Sequence, residues 1–289
     1  HQNAGHRAQW WLKKLWKEAE LRGDSNLLPT VKTYNIVIRA LAKTEGALAA
    51  ENLLLDLGDL YREEKSLSFC PNSESFTLVI RAWLQSIISD DDERNTNGEE
   101  CLQALDRAVQ WLSSFQQIED DKNLSIPPEL YHKLFLAAKQ CAKDRPEVLE
   151  MVKPIFENQK KSRRGVDILS YSCFFQVGLM GLSSSDHDQA RTDFINVLFK
   201  DCCDHGLLGR HFVRALVTSQ VGVEGWTESE RRATIERLFD QWPLPPSWTR
   251  NIRTPVQLAR DSDFERYSVQ KRLWKASRME ASMDDELTR

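Results

Sequence analysis

The sequence holds 289 residues, 41% of them hydrophobic, with 39 Lys and Arg against 43 Asp and Glu for a net charge of −4. That apolar content supports a sizeable core and excludes wholesale disorder, while 12 Gly and 10 Pro are too few for a turn-dense all-β protein or a collagen-like repeat. No run approaches the length of a membrane span, so no membrane insertion is expected, and the overall charge provides no positive field toward nucleic acid.

Trp11, Leu12, Leu15, Trp16 and Ala19 recur at helical spacing opposite Lys13, Lys14, Lys17 and Glu18, which predicts an amphipathic helix ended by Leu27-Leu28-Pro29-Thr30. A second helix is predicted over residues 34–43, capped by Thr33, with Tyr34, Val37, Ile38 and Leu41 inward. Gly46 marks a turn, and residues 47–60 predict a third helix whose core side is Leu48, Leu53, Leu54 and Leu57. The pattern then repeats. Segments 31–40, 73–82, 128–137 and 168–177 each open a helix with an aromatic residue, Tyr34, Phe76, Tyr131 and Tyr171, at successive offsets of 42, 55 and 40 residues. The first two share Val37-Ile38-Arg39-Ala40 and Val79-Ile80-Arg81-Ala82 in register. Helical hairpins with variable insertions stack into an α-solenoid, so the expected fold is all-α, with residues 1–225 as the repeats. The longest offset contains the acidic stretch 89–100, predicted to be a solvated loop.

Residues 226–289 differ in character. Thr227 precedes Glu230 at capping-box spacing, Trp242-Pro243-Leu244-Pro245-Pro246-Ser247-Trp248 forms a rigid turn, and a further helix is predicted over 264–279 before a frayed tail. This region is read as a C-terminal cap on the apolar end of the stack. Trp11, Trp16, Trp83 and Trp111 fall on helical apolar stripes and are read as core, whereas Trp242 and Trp248 beside prolines would form an exposed contact.

Catalytic and metal chemistry find little footing. The six cysteines form no C-x-x-C pair and are read as buried thiols of a reducing compartment. Cys202-Cys203-Asp204-His205 groups soft ligands but lacks a second cluster to complete a zinc site, and the acids of 90–93 lack calcium-loop spacing. No P-loop, nucleophile elbow or metalloprotease motif is present. The expectation is a non-enzymatic protein with no metal, cofactor or small-molecule substrate.

Pro29-Thr30-Val31-Lys32-Thr33-Tyr34-Asn35-Ile36-Val37-Ile38, with Lys43 and Gly46 downstream and Ala49 or Ala50 opening the next helix, resembles the pentatricopeptide repeat. Pro71-Asn72 to Ile80 is a looser copy, and the resemblance extends over about residues 10–175. It implies a tetratricopeptide-like helical-repeat protein of a mitochondrion or plastid that binds single-stranded RNA. The sequence opens on His1 and is read as a fragment or processed product, so any targeting peptide would lie upstream. In that family the residue after the aromatic and the residue after the pre-repeat Pro jointly choose a base. Carried over, the pairs are Asn35 with Asn72, Thr77 with Pro127, and His132 with Asp167, while Ser172 opens a further unit. By the resemblance, Asn35 with Asn72 favours a pyrimidine; the alternative is that Asn35 stabilises its own helix start.

Phosphate contacts are expected at Lys32, at Lys43, which matches a position that often touches phosphate in the family, and at Lys160, Lys161, Arg163 and Arg164. Two features oppose RNA. The base-sandwiching position, two before the aromatic, holds Lys32, Glu74, Glu129 and Leu169, and stacking of about 1–3 kcal/mol per base is lost where it is charged. Residues 66–130 also sum to −8, which repels a phosphate backbone unless the acids sit in the loop or on the opposite side. The rival reading is a protein-interaction scaffold that keeps the fold and has lost the code.

Overall fold

The computed structural model describes residues 3–209 except 89–97, 123, 144 and 163, together with Phe212, Ser247, Arg250 and Asn251. The predicted C-terminal cap at 226–289 therefore falls almost wholly outside the described residues. Among those described, nine α-helices and three short 3-10 turns occur, with no strand. The helices are α1 (Ala4–Arg22), α2 (Val31–Thr44), α3 (Ala47–Glu64), α4 (Ser73–Ile88), α5 (Gly98–Lys122), α6 (Pro128–Cys141), α7 (Pro146–Lys161), α8 (Ile168–Gly181) and α9 (Asp188–Asp204). None is long and apolar enough to cross a membrane.

Local chemistry sets the helix ends. Gly23 closes α1 in the left-handed region at φ 61°, and the next N–H, of Asp24, donates back to the Ala19 carbonyl. Gly46, at φ 95°, turns α2 into α3. Pro128 and Pro146 each occupy the first turn of a helix, where the missing N–H would have no partner in any case.

Four sequence expectations need correction. The cap of α2 is Thr30, not Thr33: the helix starts at Val31, and Thr33 lies in the first turn, where its Oγ1 accepts from the Thr30 N–H at 3.3 Å. Leu48 is exposed, because the buried side of α3 is built by Ala47, Ala50, Leu53, Leu54 and Leu57 and Leu48 lies off that stripe. Trp11 is exposed for the same reason, since α1 buries Gly5, Leu12 and Ala19. The acidic stretch also ends earlier than expected: Gly98, Glu99 and Glu100 are the first turn of α5, and 89–97 lie outside the described residues.

Packing follows the chain in hairpins, α2 on α3, α4 on α5, α6 on α7 and α8 on α9, and the first members touch in sequence, α2 to α4 to α6 to α8. Behind them α5 packs on α7. One apolar cluster fills the space among α1 to α4 and a larger one runs from α4 to α9, with Val79 in the first and its neighbour Ile80 in the second. In the larger cluster the Phe156 ring of α7 stacks on Phe174 of α8 at 4.2 Å between centroids and meets Phe135 of α6 edge-on. Gly178 of α8 lets α9 approach, since a Cβ there would stand 2.1 Å from the Phe194 ring. Glu51 of α3, only 1% exposed, accepts from Trp83 Nε1 of α4 at 2.7 Å and from Arg107 Nε of α5 at 2.8 Å. A buried carboxylate held by two donors ties three helices together.

Candidate nucleic-acid interface

Asn72 before α4 and Asp167 before α8 cap those helices, and each cap also grips the preceding first helix. Asn72 Oδ1 accepts from the Ser75 N–H at 3.1 Å, in the first turn of α4, and from Asn35 Nδ2 of α2 at 3.2 Å. Asp167 Oδ1 accepts from the Ser170 N–H at 2.7 Å, in the first turn of α8, and lies 2.9 Å from His132 Nε2 of α6. The sequence-derived pairs Asn35 with Asn72 and His132 with Asp167 are thus brought together in the same register. The serine three residues on is buried in both: Ser75 Oγ donates to Asn35 Oδ1 at 2.7 Å, and Ser170 Oγ accepts from Gln159 Nε2 at 2.9 Å.

The middle junction has no such clasp. Thr77 is buried with its hydroxyl unpartnered, and Pro127 has no side-chain polar atom to offer. Ser172, also buried, turns its hydroxyl back to the Ile168 carbonyl at 2.9 Å.

Within the pairs, the two members are unequal. Asn35 is 2% exposed, and both ends of its amide are engaged: Oδ1 by Ser75, Nδ2 by Asn72 and by Glu74 Oε2 at 3.2 Å. These bonds hold α2 to α4. Asn72 is half-buried, and its oxygen takes the bonds from Asn35 and Ser75. Asp167 likewise keeps 43% of its side chain exposed. Burial would push the Asp167 carboxyl up, but the hydrogen bonds from His132 and Ser170 outweigh it and lower its pKa.

The phosphate candidates divide. Lys32 and Lys43 are exposed on α2, with Ile36 and Arg39 between them on the same face. Arg39 ion-pairs Glu74 of α4, a link the sequence did not signal. Lys161 and Arg164 are exposed, and Arg163 lies outside the described residues. Lys160 is engaged elsewhere, 2.8 Å from Glu157 and 3.0 Å from Asp201. Burial works to lower its pKa, yet those two carboxylates raise it, so the charge is held inside an ion-pair network. Cys202 and Cys203 sit buried at the end of α9, and burial pushes their thiols up to about 12 and about 11. Neither has thiolate character near neutral pH.

Charge separates between first and second helices most clearly in α2 against α3 and in α4 against α5, whereas α7 is balanced at three Lys and Arg against three acids. The first helices, α2, α4, α6 and α8, carry six Lys and Arg (Lys32, Arg39, Lys43, Arg81, Lys133 and Lys139) against Glu74 and Glu129. The second helices, α3, α5, α7 and α9, carry eight Lys and Arg against eighteen Asp and Glu. Ten of the twelve acids in residues 66–130 lie in the 89–97 stretch or in α5, leaving only Glu74 and Glu129 on first helices.

No family model matches the chain, and no curated protein and no solved structure matches it either.

Proposed function

We propose that the chain is an α-solenoid of degenerate pentatricopeptide-like hairpins, non-enzymatic, that binds single-stranded organellar RNA along the row of first helices. The charge partition carries this reading. A net charge of −4 opposes RNA only if the acids share the binding face, and here the first helices are net basic while the second helices hold the carboxylates. Exposed apolar groups on the same helices, Ile36, Leu136 and Leu169, supply surface for bases between the cations. The sites differ from those the repeat resemblance implies. Asn35 and His132 act as orienting residues, and the partly exposed caps Asn72 and Asp167 are the side chains a base would meet.

The engaged amide of Asn35 and the closed His132–Asp167 pair are what favour the rival, a protein scaffold whose code positions now serve as clasps. Equilibrium binding to a randomised single-stranded RNA pool at two salt concentrations separates the two. The expected result is binding that Lys32→Gln/Lys43→Gln weakens for all sequences alike and that Lys200→Gln, on a second helix, leaves unchanged. Wild-type protein that enriches no RNA at low salt, while a stoichiometric protein partner co-purifies from organelle extract, establishes the scaffold instead.

A further inference from the structure

Helix α1 belongs to none of the four hairpins, yet its solvent face has a composition of its own. Trp10 and Trp11 are 55% and 52% exposed, an unusual placement for two adjacent indoles on a helix that buries Leu12 and Ala19. Their rings meet edge-on at 4.9 Å between centroids, and Lys14 Nζ stands 5.0 Å from each ring centre. Arg7, Lys13 and Lys17 are exposed around them. The helix carries five Lys and Arg against two Glu, and one of those, Glu18, is held by Arg22 at 3.1 Å.

We infer that this face is a stacking platform for nucleobases that lengthens the RNA path beyond the hairpins. The inference rests on the RNA reading above. Complementarity selects the ligand: the cations call for a polyanion and the indole faces for flat π surfaces, and single-stranded RNA presents both along one chain. An acidic peptide meets the first requirement without the second. Position agrees. The start of α1 is tied to the end of α2 by the Gly5 N–H donating to Thr44 Oγ1 at 3.2 Å, and His6 lies 3.4 Å from Glu45. Lys43 precedes Thr44, so the exposed cations of α2 reach the end that is tied to the start of α1. None of the base-choosing pairs lies on α1, so this platform is independent of them.

The test uses oligouridylate of roughly twelve nucleotides, long enough to span both surfaces. Its expected signature is quenching of tryptophan emission on RNA addition, a loss of roughly tenfold or more in affinity for Trp10→Ala/Trp11→Ala, and most of the affinity retained with the quench abolished in Trp10→Phe/Trp11→Phe. Lys14→Gln lowers affinity and flattens the salt dependence. Thermal melts should match wild type throughout, because both rings lie outside the core. If Lys32→Gln/Lys43→Gln weakens binding and Trp10→Ala/Trp11→Ala does not, the platform is wrong and the first-helix reading stands. Wild-type protein that binds no oligouridylate overturns both. A blue shift of Trp10 and Trp11 emission on phosphatidylserine vesicles without quenching by RNA makes α1 a membrane-surface helix and overturns the platform.

Discussion

The first and second helices pack against two adjoining apolar clusters and differ most in the charge they carry. First helices expose Lys32, Ile36, Arg39 and Lys43 on α2 and no charged residue at all on α8; second helices expose carboxylates such as Asp56, Asp59 and Glu63 on α3. The net charge of a two-layered protein is therefore the wrong quantity from which to judge its ligand. What a ligand feels is the field of the layer it approaches, because exposed charges act over about 8–10 Å at physiological salt and a neighbouring helix layer lies about as far away.

The larger of these clusters is where the layers are hardest to pull apart. Phe156 projects from a second helix between Phe135 and Phe174 of two first helices, so Phe156→Ala should cost about 3–5 kcal/mol in chemical denaturation. A much smaller loss would show that the layers are held together elsewhere. Glu51→Ala should come next, at about 1.5–3 kcal/mol, since it strips a buried acceptor from Trp83 and Arg107. Glu51→Gln, which keeps an acceptor for Trp83, should recover part of that loss.

Function should sharpen the contrast between layers. For Lys32→Gln/Lys43→Gln the slope of log affinity against log salt should flatten by about 1.4, two phosphate contacts on a single strand, whereas Lys200→Gln on α9 should leave it untouched. Equal effects from both would dissolve the distinction between faces.

The smallest expected effect concerns the clasp of His132 and Asp167 between α6 and α8. Because the Asp167 pKa is lowered in the folded protein, its stabilising contribution is fully present above the unfolded carboxylate value of about 3.9 and is lost as pH falls through the lower folded value. Asp167→Asn keeps the helix cap and removes the charge. The melting-temperature gap between wild type and this variant should thus narrow as pH drops below about 4, and a gap that widens there would mean the ionised Asp167 carboxylate contributes nothing.

Periodicity alone determined that this chain is helical and where its hairpins open, because the stripes of apolar residues around Tyr34, Phe76, Tyr131 and Tyr171 have one geometry in which they can all be buried. The resemblance to the pentatricopeptide repeat also implied the pairs Asn35 with Asn72 and His132 with Asp167, whose side chains meet in the structure. Tertiary structure decided what those pairs do. Whether an amide reads a ligand or ties two helices depends on what surrounds it, and Ser75 and Glu74, which enclose Asn35, come from a helix about forty residues away. It also decided the burial of Leu48 and Trp11: an apolar residue at the margin of a stripe goes inward only if a neighbouring helix is there to meet it. The sorting of charge between first and second helices likewise needed the helix bounds and the packing of α2, α4, α6 and α8 on one another, because only these assign Lys32 and Lys43 to a first helix and the acids of residues 98–122 to a second.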